Sequence, residues 1–305
     1  MARSRPTPDR APQPDRRRRP PSPVGGSHEL GQNLLLDKRF PASMADLLRH
    51  APPRPVLELG AGNGAVTEAL LTLRRPITAV EIDPRAAAHL RRRFGGAVEV
   101  VHADLLTVEL HVPHDVVSNV PFGITTPLLR RLLAQDSWRT AVLLVQWEVA
   151  RKRAGVGGTT LLTASWWPWY EFALDRRVPA SAFTPVPAVD GGVLVIRRRD
   201  RPLVDPADRG AYQRLVRDVF TGPGRGLGAV LAARIPRVDV DRWIREHGID
   251  ARRLPRDLTA LHWSDLYARA ATDGARHRVD GRRPDGDGRR RRGGDGRPRP
   301  RSSPG

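Results

Sequence analysis

The chain has 305 residues, 52 of them Lys or Arg against 33 Asp or Glu, giving a formal charge of +19, and it contains no cysteine. Without thiols there is neither a disulfide framework nor a thiolate metal site, and no run approaches the ~18–20 apolar residues of a membrane span. The basic surplus suits a polyanionic partner such as nucleic acid, and the lack of cysteine is compatible with a reducing, cytoplasmic location.

In chain order, residues 1–27 come first, with seven prolines and seven arginines, four of them in the block Arg16 to Arg19. Too few apolar side chains are present to offset the entropy of ordering, so a disordered basic tail is expected. It lacks the apolar stretch of a secretion signal, and its prolines oppose an amphipathic transit helix. Residues 55–59 (PVLEL) then read as a strand, Gly60-Ala61-Gly62-Asn63-Gly64 follows at once, and 65–71 begins a helix. Strand, glycine turn and helix is the geometry in which backbone approaches a ligand closely at a helix N-terminus. The next strand, 77–80, ends at Glu81 with Ile82 after it, a place where an acid can accept hydrogen bonds from both ribose hydroxyls. The glycines are spaced G-x-G-x-G with Glu58 just ahead, rather than G-x-G-x-x-G. A carboxylate there opposes a pyrophosphate but tolerates a cationic centre and an ammonium group, which favours S-adenosylmethionine over a nicotinamide dinucleotide. A third strand, 98–101, runs into His102-Ala103-Asp104-Leu105. Asp104 can accept from an adenine amino group, although a helix N-cap or a turn uses aspartate in the same way.

Residues 115–118 (DVVS) form a short apolar strand that ends at Asn119-Val120-Pro121-Phe122. Alone, Asn-x-Pro is also what an ordinary turn contains. At the carboxyl edge of a parallel sheet it suits a planar base bearing an exocyclic amine. The Asn119 amide oxygen and the carbonyl beside Pro121 can accept from the amine, and Phe122 offers a face for stacking. With Glu81, Asp104 and Asn119 ending three successive strands, ligands are expected at the carboxyl ends.

A fifth strand is expected at 141–145, a helix at 146–153, and an antiparallel end to the sheet at 172–174 and 193–196. The aromatic cluster 166–170 (WWPWY) reads as core or interface rather than as a base platform. From Asp200 the pattern is helical, with helices expected at 211–220, 227–233, 238–246 and 258–270. Arg214, Arg217, Arg225 and Arg234 are candidates for phosphate contact, or simply solvated faces. Residues 273–305 are nearly all Arg, Gly, Asp and Pro and are expected to be a second disordered basic tail, able to grip RNA nonspecifically or only solvated. Residues 28–272 keep a surplus of eight basic side chains without the tails. The nine histidines show no ligand spacing, and His111 and His114, flanking Pro113, are expected to be solvated. No metal site is expected.

These residues carry a close resemblance to the Erm group of 23S rRNA adenine N6-methyltransferases, sister to the small-subunit rRNA adenine dimethylases. Gly31-Gln32-Asn33-Leu34-Leu35 resembles the family's entry motif, with Leu34 in place of the usual Phe. Glu58 to Gly64 resembles its glycine loop, and Asn119 to Phe122 its N-[ILV]-P-[FY]. The stretch 178–190 (VPASAFTPVPAVD) resembles V-P-x-x-x-F-x-P-x-P-x-V-D, the most specific match. The resemblance implies a Rossmann-like α/β class I methyltransferase domain with a seven-stranded, mostly parallel sheet and a small all-α C-terminal domain. The expected limits are 28–199 for the catalytic domain and 200–272 for a helical RNA-binding domain. It implies Asn119, Pro121 and Phe122 as catalytic residues. Gln32, Asn33, Leu35, Gly60, Gly62, Glu81, Ile82, Asp104, Leu105 and Asn119 would hold S-adenosylmethionine. It further implies a monomer acting on 23S rRNA, free or in pre-ribosomal particles, with macrolide, lincosamide and streptogramin B resistance as the result. Two rivals are a small-subunit rRNA dimethylase, from which Gly123-Ile124-Thr125-Thr126 departs, and an RNA-binding factor of the same fold without catalysis. DNA adenine methyltransferases share the Asn-x-Pro-aromatic logic but lack the 178–190 stretch.

Overall fold

The computed structural model describes residues 33–280 apart from Leu110, Pro236 and Arg237, with side chains described as far as Thr272. Gln32, the segment 1–27 and residues 281–305 of the expected C-terminal tail lie outside the described residues. The chain enters through a two-residue strand, β1 (Leu34–Leu35), and a helix, α1 (Arg39–Arg49), whose Met44 and Leu48 are fully buried. Pro41 falls in the first turn of α1, where a missing N–H costs nothing. Then follow β2 (Val56–Leu59), α2 (Ala65–Leu70), β3 (Ile77–Glu81), α3 (Pro84–Phe94) and β4 (Glu99–His102). Sequence spells out the start of α3: Asp83 caps it by accepting from the Arg85 amide, and Pro84 occupies the first helical position.

After β4 come β5 (His114–Asn119), α4 (Thr125–Ala134), β6 (Trp138–Gln146), α5 (Trp147–Arg153), α6 (Leu161–Trp166), β7 (Tyr170–Val178), β8 (Phe183–Thr184) and β9 (Gly191–Arg198). Seven strands make one sheet in the order β4-β3-β2-β5-β6-β9-β7. Neighbours from β4 to β6 are parallel, and β9 runs antiparallel to β6, with Leu143 opposite Leu194. Strands β2 and the centre of β6 are buried on both faces, as a parallel sheet covered by helices requires. The strand order reverses between β2 and β5, so a crevice opens there at the carboxyl ends.

His114 is a correction: it is 1% exposed, begins β5 opposite Trp138, and binds the Val112 carbonyl through Nδ1 at 2.8 Å. The strand starts one residue earlier than its apolar run, and burial pushes the imidazole below its ordinary pKa. His111 is exposed as expected. At the far end of the sheet from the crevice, Arg75 pairs with buried Asp115 at 3.1 Å and donates to the Ala51 carbonyl after α1.

The remaining helices are α7 (Arg209–Phe220), α8 (Leu227–Arg234), α9 (Val240–Glu246) and α10 (Ala260–Asp280), the last running beyond the limit of 272 expected for the helical domain. By compactness the chain divides into residues up to Ala154 with Phe172–Arg198, and Gly155–Glu171 with the residues from Arg199 on. Segment Gly155–Glu171 thus groups with the helices, where a single boundary at 199 was expected. The reason is aromatic: Trp169 meets Tyr212 edge-on at 5.4 Å, and the Tyr212 hydroxyl donates to the Ala164 carbonyl. The cluster at 166–170 is therefore core, with Trp169 and Tyr170 buried. Phe220 stacks on the buried Trp263 at 5.6 Å within the same unit.

Candidate active site

At the crevice lies a cavity of about 290 Å³, walled by the ends of β1, β2, β3 and β5 and the turn after β4. Its floor is the glycine loop after β2. Gly60, Gly62 and Gly64 have φ of +75°, +56° and +82°, conformations that β-carbons disfavour. A Cβ on Gly62 would stand 3.2 Å from Leu34, and one on Gly60 3.3 Å from Leu105. The loop is a cradle whose curvature depends on bare backbone, and Leu34 of the entry strand rests against it.

Glu81, 1% exposed at the end of β3, accepts from the Gly62 amide through one oxygen at 2.7 Å and from the Asp83 amide through the other at 2.9 Å. It shapes the loop as well as facing the cavity; each oxygen retains a second lone pair for a ligand hydroxyl. Ile82 is 46% exposed and lines the wall. Asp104 accepts the Leu106 amide at 2.8 Å in a local turn, the alternative seen in the sequence, yet it and Leu105 also line the cavity.

The Asn119 side chain is aimed from an unexpected direction. Its Nδ2 donates to the Asn33 carbonyl at 2.8 Å. A carbonyl only accepts, so this bond fixes which end of the amide faces β1 and leaves Oδ1 as the acceptor available to a substrate. Val120 donates to the Leu144 carbonyl, and the Pro121 carbonyl accepts from Ile124. Among the described residues the Val120 carbonyl accepts no hydrogen bond, so a second acceptor lies beside Oδ1. Phe122 lies outside the cavity wall, half-buried, with its ring 6.4 Å from Phe183 in an edge-on arrangement.

Sequence reasoning missed how the entry strand is held. β1 pairs antiparallel with β8, Leu34 opposite Thr184 and Leu35 opposite Phe183. The 178–190 stretch is thus a scaffold: buried Phe183 meets Phe122 edge-on, while Asn33 immediately precedes its partner strand β1. Asp190 ties the stretch down by accepting from the Ala180 amide at 2.8 Å and pairing with Arg177 at 2.6 Å; these bonds hold its carboxyl below the usual carboxylate range.

Glu58 is the most unusual group present. It is 2% exposed in β2, lines the cavity, and accepts from the Thr67 hydroxyl at 2.6 Å. Burial pushes its carboxyl up to about 8, against the Thr67 bonds, with the Glu81 charge adding to the rise. A glycine cradle, a buried acid lacking a cation, and acceptors along the wall fit a nucleoside ligand that carries positive charge.

A sheet with this switch point, loop and Asn-x-Pro-aromatic edge defines a Rossmann-like methyltransferase. The chain belongs to the ribosomal RNA adenine dimethylase family, whose sequence profile matches residues 26–272. It is 56% identical over 260 residues to the mycinamicin-resistance protein MyrB of Micromonospora griseorubida, covering 85% of this chain and 84% of that one. It is 49% identical to an rRNA adenine N-6-methyltransferase of Corynebacterium diphtheriae over 68% of this chain and 82% of the other. The crystal structure of the 23S rRNA methyltransferase ErmE superposes with a TM-score of 0.73 at 34% identity, covering 78% of this chain and all of that one. The chain is therefore an rRNA adenine N6-methyltransferase by family. No helix among the described residues is long and apolar enough to cross a membrane.

Proposed function

We propose that this enzyme methylates N6 of one adenine in the peptidyl-transferase loop of 23S rRNA, so that macrolide, lincosamide and streptogramin B antibiotics no longer dock there. The observation that carries the chemistry is the Asn119 amide, oriented by the Asn33 carbonyl with its oxygen turned to the substrate side. S-Adenosylmethionine, held by Asn33, Leu35, Gly60, Gly62, Glu81, Ile82, Asp104 and Leu105, supplies a methyl group on a sulfonium. The N6 lone pair of adenine is delocalised into its ring, so the protein must redirect it. Hydrogen bonds from the amine to Asn119 Oδ1 and the Val120 carbonyl favour a pyramidal nitrogen, and the gain is orientation and electrostatics rather than base catalysis. Pro121 contributes by presenting that carbonyl without an N–H of its own. The target base leaves its stack to reach the pocket, and Phe122, braced by Phe183, replaces the lost stacking.

The target assignment is supported by the relatives: one is named for mycinamicin resistance and the solved structure is a 23S rRNA methyltransferase. The basic surplus of residues 28–272 supplies phosphate contacts, and the enzyme works as a cytoplasmic monomer. Labelled-methyl transfer to purified 23S and 16S rRNA, with an adenine-to-guanine mutant of the drug-site loop, tests all of this. Label in 23S rRNA alone, lost in the mutant and in Asn119→Ala protein, is expected. Label in 16S rRNA instead would make the enzyme a small-subunit dimethylase.

A further inference from the structure

Three carboxyl groups face the cavity, and they are not equivalent. Glu81 is satisfied by two backbone amides, and Asp104 by one while half-buried. Glu58 is fully enclosed, and the neighbours that face it offer little to hold a negative charge. From α2 it receives the Thr67 bonds. From β3, with Ala79 alongside, comes only the carboxylate of Glu81. From β5, Val117 lies alongside, and the Ser118 hydroxyl donates to the Leu59 carbonyl at 2.6 Å. No Lys, Arg or His of the described residues forms an ion pair with Glu58.

A carboxylate taken out of water without a cation costs several kcal/mol, and such groups neutralise instead. Yet Glu58 borders a cavity read above as receiving a sulfonium and an ammonium group. An inference about Glu58 rests on that reading. We propose that Glu58 keeps its proton while the cavity is empty and gives it up to solvent when a positively charged ligand enters, so that uptake of the methyl donor releases one proton. Only the O–H bond of Glu58 breaks, and the ligand's charge takes the place of the proton as the partner of the carboxylate. Glu58 thereby selects for charge: a cationic ligand gains an ion pair at the cost of a proton, whereas an anionic one meets two buried acids.

The sign of the linkage follows from the empty-site value of about 8. Below it the empty cavity is protonated, so affinity for a cationic ligand rises with pH, by up to about tenfold per unit between about pH 6 and about pH 7.5.

Titration calorimetry of the full chain with S-adenosylmethionine near neutral pH, in phosphate and in Tris, reads the released proton directly. Close to one proton per ligand is expected for the native protein and none for Glu58→Gln. Thr67→Val keeps the carboxyl but removes its hydroxyl donor, and is expected to move the midpoint of the affinity–pH curve upward. Buffer-independent heat in the native protein overturns the coupling, as does equal release from Glu58→Gln. If that variant does not fold, an unmoved midpoint in Thr67→Val overturns it as well. Protein that binds no S-adenosylmethionine at all refutes the methyl-donor reading; binding without proton release refutes only the role of Glu58.

Discussion

Replacing Asn119 by Asp keeps size, shape and an acceptor facing the substrate, but adds a negative charge and removes the donor that meets the Asn33 carbonyl. In the native protein an amide N–H donates across 2.8 Å in a half-buried position. In Asn119→Asp an anionic oxygen faces a carbonyl oxygen at that distance. The lost bond removes about 0.5–1.5 kcal/mol, and the unpaired acceptor adds roughly 1–3 kcal/mol. A total of about 1.5–4.5 kcal/mol, appearing as misaimed side chain rather than lost acceptance, lowers kcat/KM by roughly 10- to 2,000-fold. The carboxyl can restore the donor by taking up a proton on the oxygen facing Asn33, so the variant should regain activity as pH falls, with its pKa raised by the carbonyl. Methyl-transfer kinetics on rRNA across pH, with cofactor affinity measured separately, provide the assay. A variant within threefold of native activity above neutral pH, or one with the native pH profile, would refute the argument that Asn33 aims the amide.

Gly64→Ala is expected to destabilise the protein by about 2–5 kcal/mol in denaturant unfolding, since αL geometry costs ~1–2 kcal/mol and overpacking ~1–3 kcal/mol. Its Cβ would stand 2.7 Å from the Phe94 ring at a φ of +82°; Gly123→Ala, where nothing lies within 4 Å, should change stability by less than ~0.5 kcal/mol. Arg75→Ala removes the ion-pair partner of the buried Asp115, leaving it the Thr140 amide and the Arg54 charge, and is expected to cost up to about 3 kcal/mol, partly recovered in Arg75→Ala/Asp115→Ala, as a double-mutant cycle will read. His262 Nδ1 accepts from the Thr259 amide at 3.2 Å, and burial, with the His247 charge, holds its pKa below the ordinary value. The folded state therefore binds fewer protons than the unfolded one: stability is intact above the ordinary histidine pKa and falls as pH drops below it. Thermal unfolding between about pH 7.5 and about pH 5.5 should show that loss together with the one from buried His114, whose pKa burial also lowers, and His262→Gln should make the profile shallower without abolishing it.

The centre of the sheet, its switch point and the residues that end its strands were legible because β2, β5 and β6 are buried apolar runs closed by a glycine or a polar side chain, whereas edge strands β4 and β7 are largely unburied and were read only in part. The helices at 209–220, 227–234, 240–246 and 260–280 were legible from spacing of apolar residues. Helices α1, α3, α4 and α6 went unread, although Asp83-Pro84 marks the start of α3 as clearly as sequence can. The β1–β8 pairing was invisible because two-residue strands have no periodicity, and its partners lie 148 and 150 positions apart. The clamp on Asn119 was invisible for a different reason: the acceptor is a backbone carbonyl, and every residue has one. Leu34, unexplained as a substitute for an aromatic, proves to pack against the glycine loop, a task that its branched end performs at 3.2 Å from the Gly62 Cβ position.

The ribbon of β1 and β8 ties the strand that borders the cavity to the ring that meets Phe122 edge-on. Lifting Leu34 and Leu35 to exchange a spent cofactor would carry the Asn33 carbonyl away from Nδ2 and loosen Phe183 beneath Phe122. The opened protein would therefore be disarmed at the moment a stray nucleophile could enter. Loading and aiming would then be coupled, and the methyl group would be offered only to a base that the closed pocket already holds.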